Sequence, residues 1–320
     1  MMKKAMMVLV AVLVAVGAFV GTRHLLGHAT EGSQATREGQ TVTSEPSRSQ
    51  SIKKNPVSQK DQPAQTSEVE ERDLNVQRGS NTIVGKLLAP KGYERHKLPL
   101  VILSHGFGNT YDFVEPYAQK LAQQGFLVYI FDFVGGSHNS RSGGSMTDMS
   151  VFTEQEDLTA VLKQLRKESY VDESRVFLAG YSQGGVVSAL TAADNPDLVK
   201  GLITLNGAYV LFNDARTLFA TKADIPETYN HRGTILGRTY FENLLDFDLP
   251  AHLKKYKGPA LIIQGNEDDI VPMSEAEAAR DALSQSSLVE LDGAGHILNE
   301  EEADQAVGAA VGFLIENSRD

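Results

Sequence analysis

Cysteine is absent from all 320 residues of this chain. Its absence excludes disulfide bonds, thiolate metal sites and cysteine nucleophiles. Serine is then the natural nucleophile for any covalent catalysis by this protein. The search for a functional site therefore begins with hydroxyl chemistry.

Strong basic clusters are also missing. The chain has 41 Asp and Glu residues against 30 Lys and Arg residues, and its formal net charge is −11 at pH 7. Nucleic-acid binding needs a basic patch or stripe, so this balance argues against a nucleic-acid partner. No glycine-rich phosphate-binding motif ending in Gly-Lys is present. We predict neither a metal ion nor a bound cofactor.

The first 27 residues have the features of an export signal. Lys3 and Lys4 form a positively charged start, and an unbroken apolar run follows at residues 5–21. The run is longer than a usual signal-peptide core and slightly short for a membrane span, so a cleaved signal peptide and an uncleaved membrane anchor both stay open. A buried core helix is disfavoured by the polar tract that follows. We expect an extracytoplasmic protein, either secreted or anchored to the membrane by its N-terminus.

Residues 28–72 form a polar tract rich in Ser, Thr, Gln, Glu, Lys and Pro. Such a segment buries too little apolar surface to offset the entropy lost on ordering. We predict a disordered linker here, followed by one folded domain over residues 73–320. Acidic residues outnumber basic ones in that domain, which makes it distinctly acidic.

The predicted domain alternates apolar runs with amphipathic stretches. This rhythm predicts an α/β fold with a mostly parallel central sheet and helices on both faces. The predicted strands are residues 82–88, 98–104, 126–133, 175–179, 202–205, 260–264 and 288–291, and the predicted helices are residues 111–124, 152–167, 184–193, 274–283 and 300–315.

An insertion of about fifty residues, at 207–257, interrupts this rhythm and is rich in aromatic side chains. An insertion between two core strands would lie over the carboxyl edge of the sheet, where ligands bind in open α/β folds. We interpret it as a small cap. Its aromatic residues either form the cap's own core or wall an apolar pocket. The candidate pocket residues are Phe107, Tyr181, Phe212 and Tyr240.

One short motif lies at the centre of the predicted sheet. The apolar strand at residues 175–179 runs into Gly180-Tyr181-Ser182-Gln183-Gly184, and a helical stretch follows. A serine between two glycines at a strand-to-helix turn is the pattern of a nucleophile elbow. The glycines have a steric reason, because a turn this tight leaves no room for a Cβ at position 180 or 184. Ser182 is therefore the candidate nucleophile.

A serine nucleophile needs a base and a group that orients the base. In elbows of this type the acid and then the histidine follow the serine along the chain. His296 lies in a glycine-rich loop after the last predicted strand, whereas His231 and His252 belong to the cap. The acid is expected after the strand at 260–264, and we assign Asp268 this role, with Asp269 as the alternative.

Two backbone N–H groups are expected to stabilise the oxyanion of the reaction. One should belong to Gln183, the residue after the nucleophile, and the other to the loop after the strand at 98–104. Phe107 is the candidate there, and its side chain is free to line the acyl site. His105 precedes the serine, and we expect it to hold this loop by hydrogen bonds.

The complete motif series resembles the α/β-hydrolase superfamily. It is most similar to the bacterial cinnamoyl/feruloyl esterases, and the resemblance covers about residues 82–315. Two features depart from that group: the long loop after Asp132, which reads VGGSHNSRSGGS, and the exported N-terminus. The matching motifs are His105-Gly106-Phe107-Gly108-Asn109, Asp132 with Gly135-Gly136-Ser137, Gly180-Tyr181-Ser182-Gln183-Gly184-Gly185, Gly265 with Asp268 and Val271-Pro272, and Gly293-Ala294-Gly295-His296.

The sequence thus favours a serine carboxylic-ester hydrolase acting on acyl or aromatic esters. Two alternatives stay open. The same machinery attacks amides, so a peptidase or amidase is the first. A tethered hydrolase-fold protein without catalysis is the second, because a fold alone does not fix a function.

Overall fold

A computed structural model describes residues 68–319 of the chain. The predicted segment at residues 1–27 and the predicted linker up to residue 67 lie outside the described residues. Twelve strands are present in the described part: β1 (Val69–Asp73), β2 (Val76–Arg78), β3 (Asn81–Ile83), β4 (Gly85–Pro90), β5 (Leu98–Ser104), β6 (Leu127–Phe131), β7 (Val171–Tyr181), β8 (Gly201–Leu205), β9 (Thr228–His231), β10 (Thr234–Gly237), β11 (Pro259–Gly265) and β12 (Gln285–Leu291).

Eight of these strands form one central sheet in the order β1-β4-β6-β5-β7-β8-β11-β12. All neighbours from β6 to β12 pair in parallel, and β4 pairs antiparallel with both β1 and β6. The elbow strand β7 lies in the middle of the sheet. Its carboxyl end therefore opens at the edge where the loops after β5, β8, β11 and β12 also emerge.

Helices cover both faces of the sheet, as the alternating apolar runs predict. Side chains of α1 and α8 pack on one face, and those of α2, α3 and α7 pack on the other. The eight α-helices are α1 (Glu115–Gln123), α2 (Val151–Leu165), α3 (Gln183–Asp194), α4 (Leu211–Leu218), α5 (Thr239–Glu242), α6 (Leu249–Leu253), α7 (Met273–Ala282) and α8 (Glu300–Asn317).

The start of the folded domain differs from the prediction. Residues 69–72 were assigned to the linker, yet they belong to β1, which pairs with β4 along its whole length. Four of the five β1 residues are exposed, so burial gives no sequence signal for this strand. The strand forms because β4 offers a free edge, and the Arg72 guanidinium fixes it by donating to the Tyr170 hydroxyl over 2.6 Å.

The insertion forms a small cap made of α4, the β9–β10 hairpin, α5 and α6. Most of its aromatic rings pack on one another, so the cap has its own core. Phe212 stacks on Phe247 with ring centroids 5.3 Å apart, and Phe241 makes edge contacts with Phe219 and Tyr229. Most of these aromatic rings therefore form the cap's own core rather than the wall of a pocket.

None of the helices between residues 68 and 319 combines the length and the apolar character needed to cross a bilayer. The apolar run at residues 5–21 lies outside this range.

Candidate active site

Ser182 lies at the junction between β7 and α3. Its backbone has φ 54° and ψ −122°, a conformation that residues other than glycine rarely adopt. Such strain is typical of a nucleophile elbow, where a sharp turn lifts the side chain above the sheet. The Ser182 N–H donates to the Leu205 carbonyl over 2.9 Å, which ties the elbow to β8.

The flanking glycines are required by close backbone contacts, as predicted. A Cβ on Gly180 would overlap the Gly184 carbonyl, and a Cβ on Gly184 would overlap the His105 carbonyl. The elbow therefore packs directly against the loop after β5. A Cβ on Gly106 in that loop would lie 3.1 Å from the Ser182 Cβ.

The structure brings Ser182, His296 and Asp268 into one hydrogen-bond chain. His296 Nε2 lies 3.0 Å from Ser182 Oγ, and His296 Nδ1 lies 2.8 Å from Asp268 Oδ2. With Nδ1 protonated toward the carboxylate, Nε2 is free to accept the serine proton. The three side chains come from loops after β7, β11 and β12.

Asp268 has a buried side chain that is fully hydrogen-bonded. Oδ1 accepts from the N–H groups of Ile270 (2.9 Å) and Val271 (2.8 Å), and Oδ2 accepts from Gln264 Nε2 (3.1 Å) as well as from His296. Burial alone would raise the pKa of Asp268, but the hydrogen bond to His296 and the backbone donors outweigh burial and lower this pKa. The carboxylate is therefore ionised where it faces the imidazole.

Asp269, the alternative acid, is exposed and lies outside the hydrogen-bond chain of Ser182 and His296. Glu267 is exposed as well. Of the three consecutive carboxylates, only Asp268 turns inward.

Two residues hold the loop of His296 in place: sequence reasoning missed Asn206 and expected Tyr181 in the pocket instead. Asn206 follows β8 with a φ of 47°; its Nδ2 donates to the carbonyls of Gly295 (3.1 Å) and His296 (2.9 Å), and its Oδ1 accepts from Gly265 N–H (2.9 Å). The Tyr181 hydroxyl donates to the His296 carbonyl over 2.5 Å. Asn206 thus connects the loop of the acid with the loop of the histidine. A lone asparagine after a strand is a weak sequence signal.

The two predicted oxyanion donors lie on either side of Ser182. Gln183 is the first residue of α3, where a helix N–H has no partner within the helix. Phe107 follows Gly106, which contacts the serine. Within residues 68–319 neither backbone N–H donates to another protein group. Both are therefore available to a negatively charged oxygen at Ser182.

His105 is fully buried beneath the loop after β5. Its Nε2 accepts from Phe133 N–H over 3.3 Å, so Nδ1 carries the proton and donates to the Gly106 carbonyl over 2.8 Å. Burial lowers the pKa of His105 and keeps the imidazole neutral. These hydrogen bonds match the structural role expected for this histidine.

The long loop after β6 is anchored by a buried aspartate. Asp132 accepts from Tyr111 N–H and from Arg141 N–H, each over 2.8 Å, and the Arg141 guanidinium lies over the Tyr111 ring. Gly108 N–H donates to the Gly136 carbonyl over 3.1 Å. This loop is thereby fixed beside the loop that carries Phe107.

Two of the four predicted pocket residues lie beside the nucleophile. The Phe107 ring meets the Tyr240 ring edge-on with centroids 5.9 Å apart, and the Tyr240 hydroxyl donates to Gln183 Oε1 over 2.7 Å. His231, on the β9–β10 hairpin, also meets the Phe107 ring edge-on, with centroids 6.0 Å apart. Sequence reasoning placed His231 in the cap without a role.

The other two predicted pocket residues lie elsewhere. Tyr181 points to the opposite face of the sheet, toward Phe113 and Tyr117, because alternate residues of β7 face opposite sides. Phe212 is buried in the cap core and lines a separate cavity of about 400 Å³ between α4, α6 and α7. Neither side chain belongs to the aromatic group around Phe107.

Two family models match the chain. The serine aminopeptidase (S33) model matches residues 95–228, which contain the elbow, and the TAP-like protein model matches residues 248–319, which contain Asp268 and His296. This chain has the α/β-hydrolase fold. Within its described residues, this α/β hydrolase has no cluster of three His, Asp or Glu side chains suited to a metal ion.

Curated relatives of this α/β hydrolase include several enzymes that cleave acyl bonds. The esterase YjfP of Escherichia coli strain K12 is 26% identical over 231 residues, which is 68% of this chain and 90% of that protein. A monoglyceride lipase of Rattus norvegicus is 32% identical over 107 residues, about a third of each chain. A putative carbamate hydrolase, RutD of Serratia proteamaculans, is 22% identical over 252 residues, 68% of this chain and 91% of that protein.

The solved structures include Est1E from Butyrivibrio proteoclasticus with bound ferulic acid. It has a TM-score of 0.70 and 25% identity, and the match covers 76% of this chain and 98% of that chain. The resemblance to α/β hydrolases and to feruloyl-type esterases that the motifs predict is confirmed. The chain is an enzyme, a serine hydrolase of the esterase type.

Proposed function

We propose that this protein is a carboxylic-ester hydrolase in which Ser182, His296 and Asp268 form the catalytic triad. One observation carries the proposal: Ser182 Oγ, on a strained elbow, lies 3.0 Å from His296 Nε2, and His296 Nδ1 lies 2.8 Å from the buried Asp268 carboxylate. A hydrogen-bonded nucleophile, base and orienting acid are the parts that acyl transfer requires.

Acylation is the first half of the reaction. His296 Nε2 takes the proton of Ser182 Oγ as the oxygen attacks the ester carbonyl carbon. The carbonyl oxygen becomes an oxyanion that accepts from the N–H groups of Phe107 and Gln183. Asp268 stabilises the imidazolium, which then protonates the leaving alkoxide. The C–O bond breaks, the alcohol departs and an acyl-Ser182 ester remains.

Deacylation repeats the sequence with water. His296 takes a proton from water as its oxygen attacks the acyl carbon, and the second oxyanion forms at the same two N–H groups. Its collapse returns the proton from His296 to Ser182 Oγ and releases the carboxylic acid. One ester and one water thus give one acid and one alcohol.

Acyl or aromatic esters are the proposed substrate class. The rings of Tyr240 and His231 pack against the ring of Phe107, one of the proposed oxyanion donors, and this aromatic group offers an apolar surface to an acyl group. Burial lowers the pKa of His231, which favours its uncharged form beside these rings. The ferulic acid bound to Est1E is an aromatic acid, the kind of product that hydrolysis of an aromatic ester releases.

The proposed location is outside the cytoplasm. Lys3, Lys4 and the apolar run at residues 5–21 support an export signal, either cleaved or kept as a membrane anchor. In the anchored case the membrane is a partner through this segment. N-terminal sequencing of the mature protein distinguishes the two cases.

Ser182→Ala tests the proposed function. The variant should lose at least about a thousandfold in kcat for p-nitrophenyl acetate and should no longer react with a fluorophosphonate probe. Ser188→Ala is the control, because Ser188 is a buried serine of α3 whose hydroxyl bonds only the Ala179 carbonyl. Hydrolysis by Ser182→Ala at the wild-type rate would refute the triad.

Amide cleavage is the second candidate, and the serine aminopeptidase description of the matching family model favours it. The same triad attacks amides when the leaving amine can be protonated. Matched p-nitrophenyl esters and p-nitroanilides of one acyl group, compared by kcat/KM on one preparation, separate the two. We expect the ester to be preferred, and a higher kcat/KM for the anilide would reverse the assignment.

A further inference from the structure

Three buried polar side chains form a hydrogen-bond relay behind the nucleophile. The Tyr240 hydroxyl donates to Gln183 Oε1 over 2.7 Å, and Gln183 Nε2 donates to Glu154 Oε2 over 2.8 Å. We call Glu154, Gln183 and Tyr240 the Gln183 relay. All three residues are 3% exposed or less, so water does not compete for these bonds. The triad mechanism uses none of these side-chain bonds.

The relay joins three separate parts of the chain. Glu154 lies on α2, Gln183 begins α3, and Tyr240 lies on α5 of the cap. Tyr240 also packs its ring against Phe107. One cap residue therefore contacts both residues whose N–H groups are the proposed oxyanion donors.

Each bond of the relay fixes the orientation of the Gln183 amide. A tyrosine hydroxyl donates to its carbonyl oxygen, and a carboxyl oxygen accepts from its nitrogen, so both ends of the amide are held. The Met149 sulfur, 3.7 Å away, is a second and weaker acceptor for Nε2. Gln183 has no other side-chain partner among the described residues, so its side chain depends on Glu154 and Tyr240.

The charges around Glu154 agree with a role in holding the Gln183 side chain rather than in transferring a proton. No cation lies within ion-pair distance of Glu154 in residues 68–319, since Arg78 pairs instead with Glu156 and Asp157 on the same helix. Burial raises the pKa of Glu154 to about 8; the Gln183 hydrogen bond lowers it, and the nearby Asp157 raises it. Near neutral pH the Glu154 carboxyl is an uncharged acceptor for Gln183. Neither Ser182 nor His296 forms a hydrogen bond with it.

We infer that Glu154 and Tyr240 are positioning residues for the oxyanion hole, because through the Gln183 side chain they set the place of the Gln183 backbone N–H. This inference rests on the proposed function, since it assigns a task to the proposed oxyanion donor. It adds that the cap, beyond covering the substrate, completes the catalytic geometry. A misplacement of about 1 Å is enough to cost about a hundredfold in rate.

Tyr240→Phe removes only the hydroxyl that holds the cap end of the relay. We expect kcat for p-nitrophenyl acetate to fall about tenfold to a hundredfold, with KM changed by less than about threefold, because the oxyanion is bound in the transition state. A residue that merely lined the pocket would raise KM for bulky aromatic esters and leave kcat for the acetate unchanged.

Tyr209→Phe is the matched control. Tyr209 is equally buried at the base of the cap, and its hydroxyl bonds Thr204 Oγ1 over 3.2 Å without touching Gln183. The two variants lose the same atom from the same kind of environment. Only Tyr240→Phe should lose kcat, whereas equal kcat values in the two variants would overturn the inference.

The Glu154 end is tested by a rescue pair. Glu154→Gln keeps an oxygen that accepts from Gln183 Nε2 and should retain kcat within about threefold, whereas Glu154→Met removes the acceptor and should lose kcat about as much as Tyr240→Phe. Equal loss in both Glu154 variants would overturn the acceptor role. If Tyr240→Phe or Glu154→Met fails to fold, Gln183→Met replaces it. This variant removes the side-chain bonds of the relay but keeps the backbone N–H, and its kcat should fall by a similar factor.

Failure of the inference differs from failure of the proposed function. If the wild-type protein does not react with a fluorophosphonate probe, the triad itself fails, and the relay loses its task with it. If the wild type reacts and Ser182→Ala does not, the triad stands, and the kcat values of the relay variants alone decide the inference.

Discussion

Three consecutive acids follow β11, and their surroundings alone distinguish their roles. Asp268 turns inward because the N–H groups of Ile270 and Val271 hold one oxygen and so aim the other at His296. Glu267 and Asp269 point into solvent. The loop conformation therefore selects the acid, since all three residues offer the same chemistry.

Asp268→Asn should lower kcat about 10,000-fold, because an amide favours the wrong imidazole tautomer and cannot stabilise the imidazolium. Ester hydrolysis at pH 7 by the purified variant measures this. Asp269→Asn removes the same charge one residue away and should keep kcat within about twofold. A larger loss from Asp269→Asn than from Asp268→Asn would exchange the two assignments.

The three members of the proposed triad could be predicted at this scale because motif spacing and chain order single them out one at a time, and the structure places them within hydrogen-bond distance. Asn206 and Glu154 could not be predicted in this way. Asn206 bridges the loops after β11 and β12, and Glu154 meets Gln183 across two helices. Their roles exist only after folding brings distant segments together, and neither residue type is distinctive in its local sequence.

At the scale of elements, the strands buried on both faces and the edge strand β12 were predicted, whereas the other edge strand, β1, was not. β5 and β7 carry continuous apolar runs because both sheet faces are covered. β1 has four exposed residues and is ordered by pairing with β4. Within the cap, the aromatic content predicted an insertion but could not tell Phe212 in its core from Tyr240 at the site.

Helix α8 carries two glycines that packing does not require. Gly308 and Gly312 are exposed, and a Cβ on either would have no neighbour within 4 Å. Since glycine costs about 0.5–1 kcal/mol relative to alanine in a helix interior, Gly308→Ala and Gly312→Ala should each raise the free energy of unfolding by about that amount. Urea unfolding followed by circular dichroism measures the change.

The same substitution at the end of β10 should have the opposite effect. A Cβ on Gly237 would overlap the Thr147 carbonyl in the loop after β6, so the cap hairpin would have to move away from that loop. Gly237→Ala should destabilise by about 1–3 kcal/mol, as overpacking typically does. Stabilisation by this variant, or destabilisation by the α8 variants, would contradict the packing described for these elements.

At the scale of the whole molecule, the proposed site is assembled from segments far apart in the chain. Phe107, Ser182, Tyr240, Asp268 and His296 follow five different strands or cap elements, and the sheet edge brings them together. The Gln183 relay then connects the cap to the helices beneath it. Because Glu154 is buried in this relay, its ionisation affects the fold as well as the site.

The free energy of unfolding should depend on pH through this buried acid. Burial raises the pKa of Glu154 to about 8, well above its ordinary value of 4.5. The folded protein therefore binds this proton more tightly than the unfolded chain does. By linkage, the contribution of Glu154 to stability is fully present below about pH 4.5 and is lost as pH rises toward 8.

Glu154→Gln removes this titration and keeps a hydrogen-bond acceptor for Gln183. Between pH 5 and pH 9 the wild type should lose stability relative to this variant by a few kcal/mol, since each unit of pKa difference corresponds to about 1.4 kcal/mol. Thermal and urea unfolding at several pH values measure the difference. Glu156→Gln, an exposed acid on the same helix, is the control and should follow the wild type across this range. If Glu154→Gln also follows the wild type, Glu154 is ionised in the folded protein at neutral pH, and its carboxyl must then have a solvated or paired environment.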